Sequence, residues 1–179
     1  MPYAEDEARA IRDIFRPEGA DLLVGGNATV RRWRDKDPGR YRYLHFALHA
    51  VANDRLIEGG ALVFADGHLT LPDVRRLRLG AELVTLSACE TAVGRWVRGE
   101  GVVGMQYAFL SAGARATLVT LWRVPDRAAA EFSEAFYALV KQGNSPSEAL
   151  RTIRARWSGG EGERSHPSRW AGFVLVGGE

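Results

Sequence analysis

Two residues of this chain could perform thiol chemistry, and each follows an apolar segment. His49 comes directly after YLHFAL, and the single cysteine, Cys89, comes directly after ELVTLSA. A thiol has an ordinary pKa of about 8.5, so it must lose its proton before it can attack a carbonyl carbon at neutral pH. A nearby imidazole can accept that proton and later protonate the leaving amine. The two residues therefore form a candidate Cys/His dyad.

Other interpretations of the same residues remain open at this stage. A lone cysteine in an apolar setting is often a packed core residue. His45 and His49 are four residues apart, so on a strand they would share a face and could together bind a metal ion. Zinc normally takes three or four protein ligands, and the other histidines, His68 and His166, show no ligand spacing. We therefore predict neither a metal site nor a cofactor.

The elements around these residues alternate between strands and helices. Apolar segments predict strands at 21–24, 41–48, 61–64, 82–88, 116–122 and 170–176. Apolar spacing and end signals predict helices at 4–15, 28–34 (capped by Asn27), 72–77, 102–113, 127–141 and 146–157. The segments 94–101 and 158–168 are rich in glycine and are predicted to be loops. This alternation predicts an α/β layer fold with a mostly parallel sheet, in which functional groups gather beyond the carboxyl ends of the strands.

Composition narrows the classes of protein to which the chain can belong. Its 179 residues suit one domain, and 24 basic against 22 acidic residues give a net charge of only +2. That balance lacks the basic field of nucleic-acid-binding proteins, so no nucleic-acid partner is expected. No apolar stretch reaches the roughly 20 residues that span a bilayer, and the start lacks the order of a signal peptide. We expect a cytoplasmic protein with no membrane partner.

Four motifs, in order, resemble those of the CHAT family of caspase-like cysteine peptidases, to which separases are also related. They are LHFALHA (44–50), LSACETAVG (86–94), RGEGVVGMQYAFLSAGARATLVTLW (98–122) with VPD (124–126), and HPSRWAGFVLVG (166–177). The resemblance implies a caspase-like three-layer fold, with a mostly parallel central sheet flanked by helices. It also implies a single domain over 1–179, with an amino-terminal segment at 1–40 and a catalytic core at 41–179, either free-standing or part of a longer protein.

The resemblance also implies roles for particular residues. His49 matches the general base, Cys89 matches the nucleophile, and His45 matches a buried structural histidine. The backbone N–H groups of Cys89 and Ala50 would form the oxyanion hole. Many caspase-like peptidases have glycine where Ala50 stands, and this difference would matter only if the backbone there needed a positive φ.

Two further residues are expected to contact substrate. Asp126 stands where arginine-specific relatives such as separase carry a pocket carboxylate, and a carboxylate binds a guanidinium through two parallel hydrogen bonds. We therefore predict cleavage after arginine, with lysine second. Asp126 is equally well placed to cap the helix that follows it. Ser87 lies two residues before Cys89, on the same face of its strand, and is predicted to line the pocket floor.

The predicted function is that of a bacterial cysteine endopeptidase that cleaves a protein substrate through an acyl-enzyme on Cys89. The resemblance implies a partner that switches the enzyme on, either an activating protein or a helical-repeat domain. The alternative is a catalytically latent interaction module that keeps the fold without turnover.

Overall fold

The computed structural model describes residues 3–51, 60–87, 95–97 and 101–178, with only the backbone described at 95–97 and 101–103. Cys89 lies outside these ranges. The helices and strands are α1 (Ala4–Phe15), α2 (Val30–Asp35), β1 (Tyr43–Phe46), β2 (His49–Val51), β3 (Ala61–Phe64), β4 (Gly67–Thr70), α3 (Leu71–Arg75), β5 (Leu83–Leu86), β6 (Arg95–Val97), β7 (Gly101–Val103), α4 (Met105–Ser111), β8 (Ala116–Thr120), α5 (Asp126–Lys141), α6 (Pro146–Ser158) and β9 (Phe173–Gly177). Short 3₁₀ turns occupy part of the polar segment at 158–168.

The central sheet has the strand order β1-β5-β8-β9. The first three strands run parallel, with Tyr43 opposite Leu83 and Leu83 opposite Ala116, and β9 is antiparallel to β8. All four residues of β5 and all five of β8 are buried, as expected for strands covered on both faces. The predicted mostly parallel α/β fold is confirmed.

Side chains on the two faces of the sheet build two separate cores. Along β5, Val84 and Leu86 join a core with α3 and α4, whereas Leu83 joins a core with α5 and α6. In the second core the rings of Phe132 and Phe173 stack with centroids 3.8 Å apart, which ties α5 to β9. Helices on both faces of one sheet give the three layers that the resemblance implied.

A smaller antiparallel sheet of β2, β3 and β4 lies beyond the end of β1. Leu62 and Leu69 face each other in this sheet and are completely buried, which anchors it to the first core. A short turn through Asp66 connects β3 to β4. The strand β4 was not predicted, because GHLT carries too weak an apolar pattern.

Four local predictions are wrong. The predicted strand at 21–24 pairs with no other described strand, although Val24 is extended. Thr29, not Asn27, caps α2, because the Thr29 hydroxyl accepts the Arg32 N–H. The predicted loop at 94–101 contains β6, and the predicted helix at 102–113 begins only at Met105, because the chain first forms β7, which pairs with β6.

Within the part of the chain that the structure describes, no helix combines the length and the apolar character that crossing a membrane requires.

Candidate functional site

The predicted site residues follow the carboxyl ends of three adjacent parallel strands. His49 follows β1, Ser87 follows β5, and Asp126 follows β8, and β5 lies between the other two strands. The Ser87 N–H donates to the Phe46 carbonyl at 2.9 Å, which extends the pairing of β1 and β5 to their last residues. Segments that leave these strands therefore start from one edge of the sheet, where open α/β sheets bind their ligands.

His49 is not part of the parallel sheet but the first residue of β2. Its side chain is exposed, whereas the neighbouring Ala50 is half-buried and packs against the first core. Among the described non-glycine residues a positive φ occurs at Asp37 alone. The backbone at Ala50 is therefore one that alanine adopts without strain, and a glycine is not needed there.

The nucleophile predicted at Cys89 lies outside the described residues, so its distance to His49 stays a prediction. Ser87, two residues earlier, is 4% exposed. Its hydroxyl has no hydrogen-bond partner among the described residues. A buried hydroxyl without a partner is costly. It is therefore a group from which a bound polar atom could gain a hydrogen bond.

Asp126 is the first residue of α5, and the N-cap position is occupied by Pro125. The carboxylate therefore lies within the first helical turn, where the helix macrodipole favours negative charge. Asp126 is half-buried and has interactions within the chain. Asp126 is therefore not the N-cap residue, although it lies in the first turn of the helix that it was expected to cap. Its predicted contact with a substrate arginine stays a prediction.

His45 is buried, as predicted, and its partner comes from the amino-terminal helix. Its Nε2 lies 3.1 Å from Glu7 Oε1, and the two side chains are 10% and 2% exposed. Its ring also meets the ring of Tyr137 edge-on, with centroids 5.5 Å apart. The Tyr137 hydroxyl bonds Thr85 at 2.7 Å, and burial raises the pKa of Tyr137 well above its ordinary value. These contacts join α1, β1, β5 and α5 beneath the segment that leads to His49.

Exposed apolar side chains accompany the polar residues at this edge. Val51, Leu121 and Trp122 are three of the five large hydrophobic side chains that are exposed among the described residues. The first follows β1 and the other two follow β8. Exposed apolar residues gathered near one edge often mark a binding surface. Leu121 was not predicted, because it reads as a continuation of the buried strand ATLVT.

Trp122 is held by the carboxyl-terminal motif and is not a core residue. It is 42% exposed, and its Nε1 donates to the Ser168 carbonyl at 3.2 Å. A Cβ on Gly172 would lie 2.8 Å from Trp122 Cε2, so only glycine lets the indole lie this close to the chain. Its exposure and its place after β8 are those of a residue that could form the wall of a pocket at this edge of the sheet.

The histidines offer no metal centre in the described part of the chain. No group of three or more His, Cys, Asp or Glu side chains there could hold a metal ion. His68 lies in β4, opposite Val63, which in turn lies opposite His49, so the two histidines share the exposed face of that sheet two strands apart. His166 instead bonds Ser168 through Nδ1 at 2.8 Å and caps a short turn.

Comparison with known proteins gives a family and two relatives. The model of the CHAT domain matches residues 1–178. Tetratricopeptide repeat protein 28 of Mus musculus is 42% identical over 113 residues, and the protein of that name from Homo sapiens is 39% identical over 113 residues. In both cases the match covers 61% of this chain and 4% of the relative.

Proposed function

The chain belongs to the CHAT family, which has a caspase-like fold, and from this premise we propose that it is a cysteine endopeptidase with His49 as general base and Cys89 as nucleophile. The proposal rests on the parallel pairing of β1 with β5. This pairing continues to the backbone hydrogen bond from the Ser87 N–H to the Phe46 carbonyl, so both segments leave the sheet at the same edge. The chain then needs two more residues to reach Cys89 and three to reach His49.

The proposed reaction proceeds through a thioester. The His49 imidazole accepts the Cys89 thiol proton, and the thiolate attacks the carbonyl carbon of the scissile peptide bond. The backbone N–H groups of Cys89 and Ala50 donate to the resulting oxyanion, which is worth about 10²–10³ in rate per donor. The imidazolium then gives its proton to the leaving amine as the C–N bond breaks. Water, deprotonated by His49, hydrolyses the thioester and restores the thiol.

We assign the preferred substrate residue as arginine, with lysine second. Asp126 supplies the negative charge, and the exposed Leu121 and Trp122 supply apolar surface close to it in the chain. An arginine side chain needs both, since its aliphatic stem packs on apolar groups while its guanidinium pairs with a carboxylate. The buried Ser87 hydroxyl is a further donor or acceptor at the pocket floor.

The test is covalent labelling of Cys89 by a peptidyl-arginine electrophile, followed by mass spectrometry of the modified peptide. Labelling should be lost in Cys89→Ala and should slow by about 10²–10⁴ in His49→Ala, the usual contribution of a positioned base. His68→Ala is the matched control, because His68 is exposed on the same face of the same small sheet as His49. Its labelling rate should equal that of the unchanged chain.

Specificity is tested with a second pair of variants on α5. Asp126→Asn should slow labelling by the arginine reagent and leave labelling by a matched norleucine reagent unchanged. Glu134→Gln removes an exposed carboxylate from the same helix and should change neither rate. If Asp126→Asn keeps the arginine preference of the unchanged chain, Asp126 is not part of the pocket. If His49→Ala is labelled as fast as the unchanged chain, the dyad is refuted.

The alternative is an interaction module that keeps the CHAT fold without turnover. It is favoured by the two relatives, which are named as tetratricopeptide repeat proteins and of which this chain spans only 4%. The same relatives support a helical-repeat domain as the activating partner of the proposed peptidase. Slow labelling that is indifferent to both His49→Ala and Asp126→Asn would favour the module.

A further inference from the structure

The strand β1 forms one edge of the central sheet, and its outer side is unpaired in the part of the chain that the structure describes. The carbonyls of Arg42 and Phe46 accept from β5 and the residues around it, at 2.8 Å from the Glu82 N–H and at 2.9 Å from the Ser87 N–H. Backbone groups of successive strand residues point to opposite sides. The N–H and C=O groups of Tyr43 and His45 therefore point away from β5.

A cleft of about 1010 Å³ runs along this open edge. Its far side is the segment 18–25, and α1 contributes Ile11 and Phe15 to its wall. Asp21 connects the two sides of the cleft. Its carboxylate accepts a hydrogen bond from the Tyr41 hydroxyl and forms an ion pair with Lys36 Nζ at 2.9 Å. The Tyr41 hydrogen bond holds the pKa of Asp21 below its ordinary value, so the Asp21 carboxylate stays charged at neutral pH.

One buried polar atom in the cleft lacks a partner. The His45 side chain is nine-tenths buried and lines the cleft. Neither ring nitrogen makes a hydrogen bond to a described residue, and only Nε2 lies near a carboxyl oxygen, that of Glu7. A buried polar atom without a partner is costly, so Nδ1 points to a group that is supplied from outside. The backbone groups at the open edge and this imidazole nitrogen both lack hydrogen-bond partners among the described residues, and a polypeptide backbone could supply partners to both.

Going beyond the proposed peptidase activity, we infer that the cleft receives an extended strand from a partner protein, which adds to the edge of β1. The partner strand would carry apolar side chains towards Ile11 and Phe15 on one face and towards Leu23 on the other. Strand addition of this kind obtains affinity from backbone hydrogen bonds and specificity from alternate side chains.

Two arginines at one end of the cleft indicate which residue type the partner strand carries there. Arg40 and Arg115 line the cleft and are exposed, and neither lies within 4.0 Å of a carboxylate oxygen of a described residue, although the Arg40 guanidinium lies 5.6 Å from the centroid of the Tyr41 ring. Both lie just before strands of the parallel sheet, at the end opposite to the candidate catalytic site. The partner strand therefore carries an acidic residue at this end, where two unpaired guanidinium groups can meet it.

The experiment selects from a displayed library of random linear peptides of about ten residues, using the whole chain with Cys89→Ala to prevent cleavage. Enriched peptides should alternate apolar residues and carry an acidic residue near one end. Hydrogen exchange should show that the amides of Tyr43, His45 and Ala47 are open in the chain alone and become protected when an enriched peptide is added. Arg115→Glu should weaken binding about ten-fold.

A backbone variant separates strand addition from surface adhesion. Ala47 lines the cleft, and its N–H makes no backbone bond among the described residues, so Ala47→Pro deletes an outward donor without breaking the pairing with β5. It should weaken peptide binding about ten-fold, whereas the matched Ala47→Ser, which keeps the N–H, should bind normally. Thermal unfolding of both variants reports whether the fold is kept.

Several outcomes would overturn the inference. They are a selection that enriches no peptide, peptides that bind without protecting these amides, and equal binding by Ala47→Pro. Amides that are already protected in the free chain would show that the chain fills its own cleft. A dimer that Ala47→Pro dissociates would assign the cleft to a second copy. None of these readouts uses catalysis, so failure of the peptidase proposal would leave the inference standing.

Discussion

Replacing His45 by alanine should destabilise the fold by about 1–3 kcal/mol, because it leaves a buried polar group without the imidazole beside it. Glu7 Oε1 lies 3.1 Å from His45 Nε2, and the Glu7 side chain is only 2% exposed. The variant also removes the edge-on contact with Tyr137, which adds to the loss in the same direction.

The magnitude can be divided by a double-mutant cycle measured by equilibrium urea unfolding. Glu7→Gln keeps the shape of the side chain and replaces one carboxyl oxygen by an amide group, so it should cost about 1–3 kcal/mol. The double variant should lose less unfolding free energy than the sum of the two single losses, by about 0.5–3 kcal/mol, because both substitutions remove the same contact. Glu5→Gln is the control on the same helix, because Glu5 is 53% exposed and, among the described residues, pairs only with Arg9. Its cost should stay within about 0.5 kcal/mol.

Two results would refute this reasoning. A cost below about 1 kcal/mol for His45→Ala would mean that the buried carboxyl group is not held by the imidazole. Additive costs in the cycle would mean that the two residues stabilise the fold separately. Labelling of Cys89 in Glu7→Gln is the complementary readout, and it should proceed at the rate of the unchanged chain, because His45 is proposed to be structural and only His49 to be the base.

Three more substitutions test the packing that supports the sheet. The Thr70 hydroxyl holds the pKa of Asp73 below its ordinary value of 3.8, so the contribution of Asp73 to stability is present above that pH and is lost as the pH falls through the lower folded-state pKa. Asp73→Asn should therefore cost about 1 kcal/mol in urea unfolding at pH 7, and the difference should shrink below pH 3.8. Gly113→Ala should cost more than about 1 kcal/mol in the same assay, because φ is 108° there and a Cβ would lie 2.3 Å from the Leu79 carbonyl oxygen; no loss would show that this close approach can relax. Phe132→Ala should cost about 3–5 kcal/mol and lower the melting temperature, because Phe132 is fully buried, and a loss of under about 1 kcal/mol would contradict its role in the second core.

The elements that could be predicted from sequence are those whose own residues determine them. β5 and β8 are continuous apolar runs, and both are buried on each face as that pattern requires. The start of α6 was predicted from Ser145-Pro146, and Ser145 does cap that helix. In each case the signal is local, because it depends on residues within one turn or one strand.

The failures occur where the structure depends on residues far along the chain. The run Asp21–Val24 is apolar enough for a strand, but a strand exists only if another strand pairs with it, and no described strand does. Likewise, nothing near His45 in sequence indicates that its partner is Glu7, 38 residues earlier in the chain. The residues of the candidate site stay a prediction from motif order, whereas the contact between His45 and Glu7 could not be predicted from the sequence.

The face that His49 presents depends on leucines that take no part in the proposed chemistry. In β2 the side chains alternate, so His49 and Ala50 point to opposite sides of the small sheet. Ala50 lies opposite Leu62, and Leu62 lies opposite Leu69, and both leucines are completely buried. A slip of one residue in the pairing of β2 with β3 would turn Ala50 to solvent and His49 towards the face that the two buried leucines occupy. The burial of these two leucines therefore fixes which side of the sheet carries the proposed base.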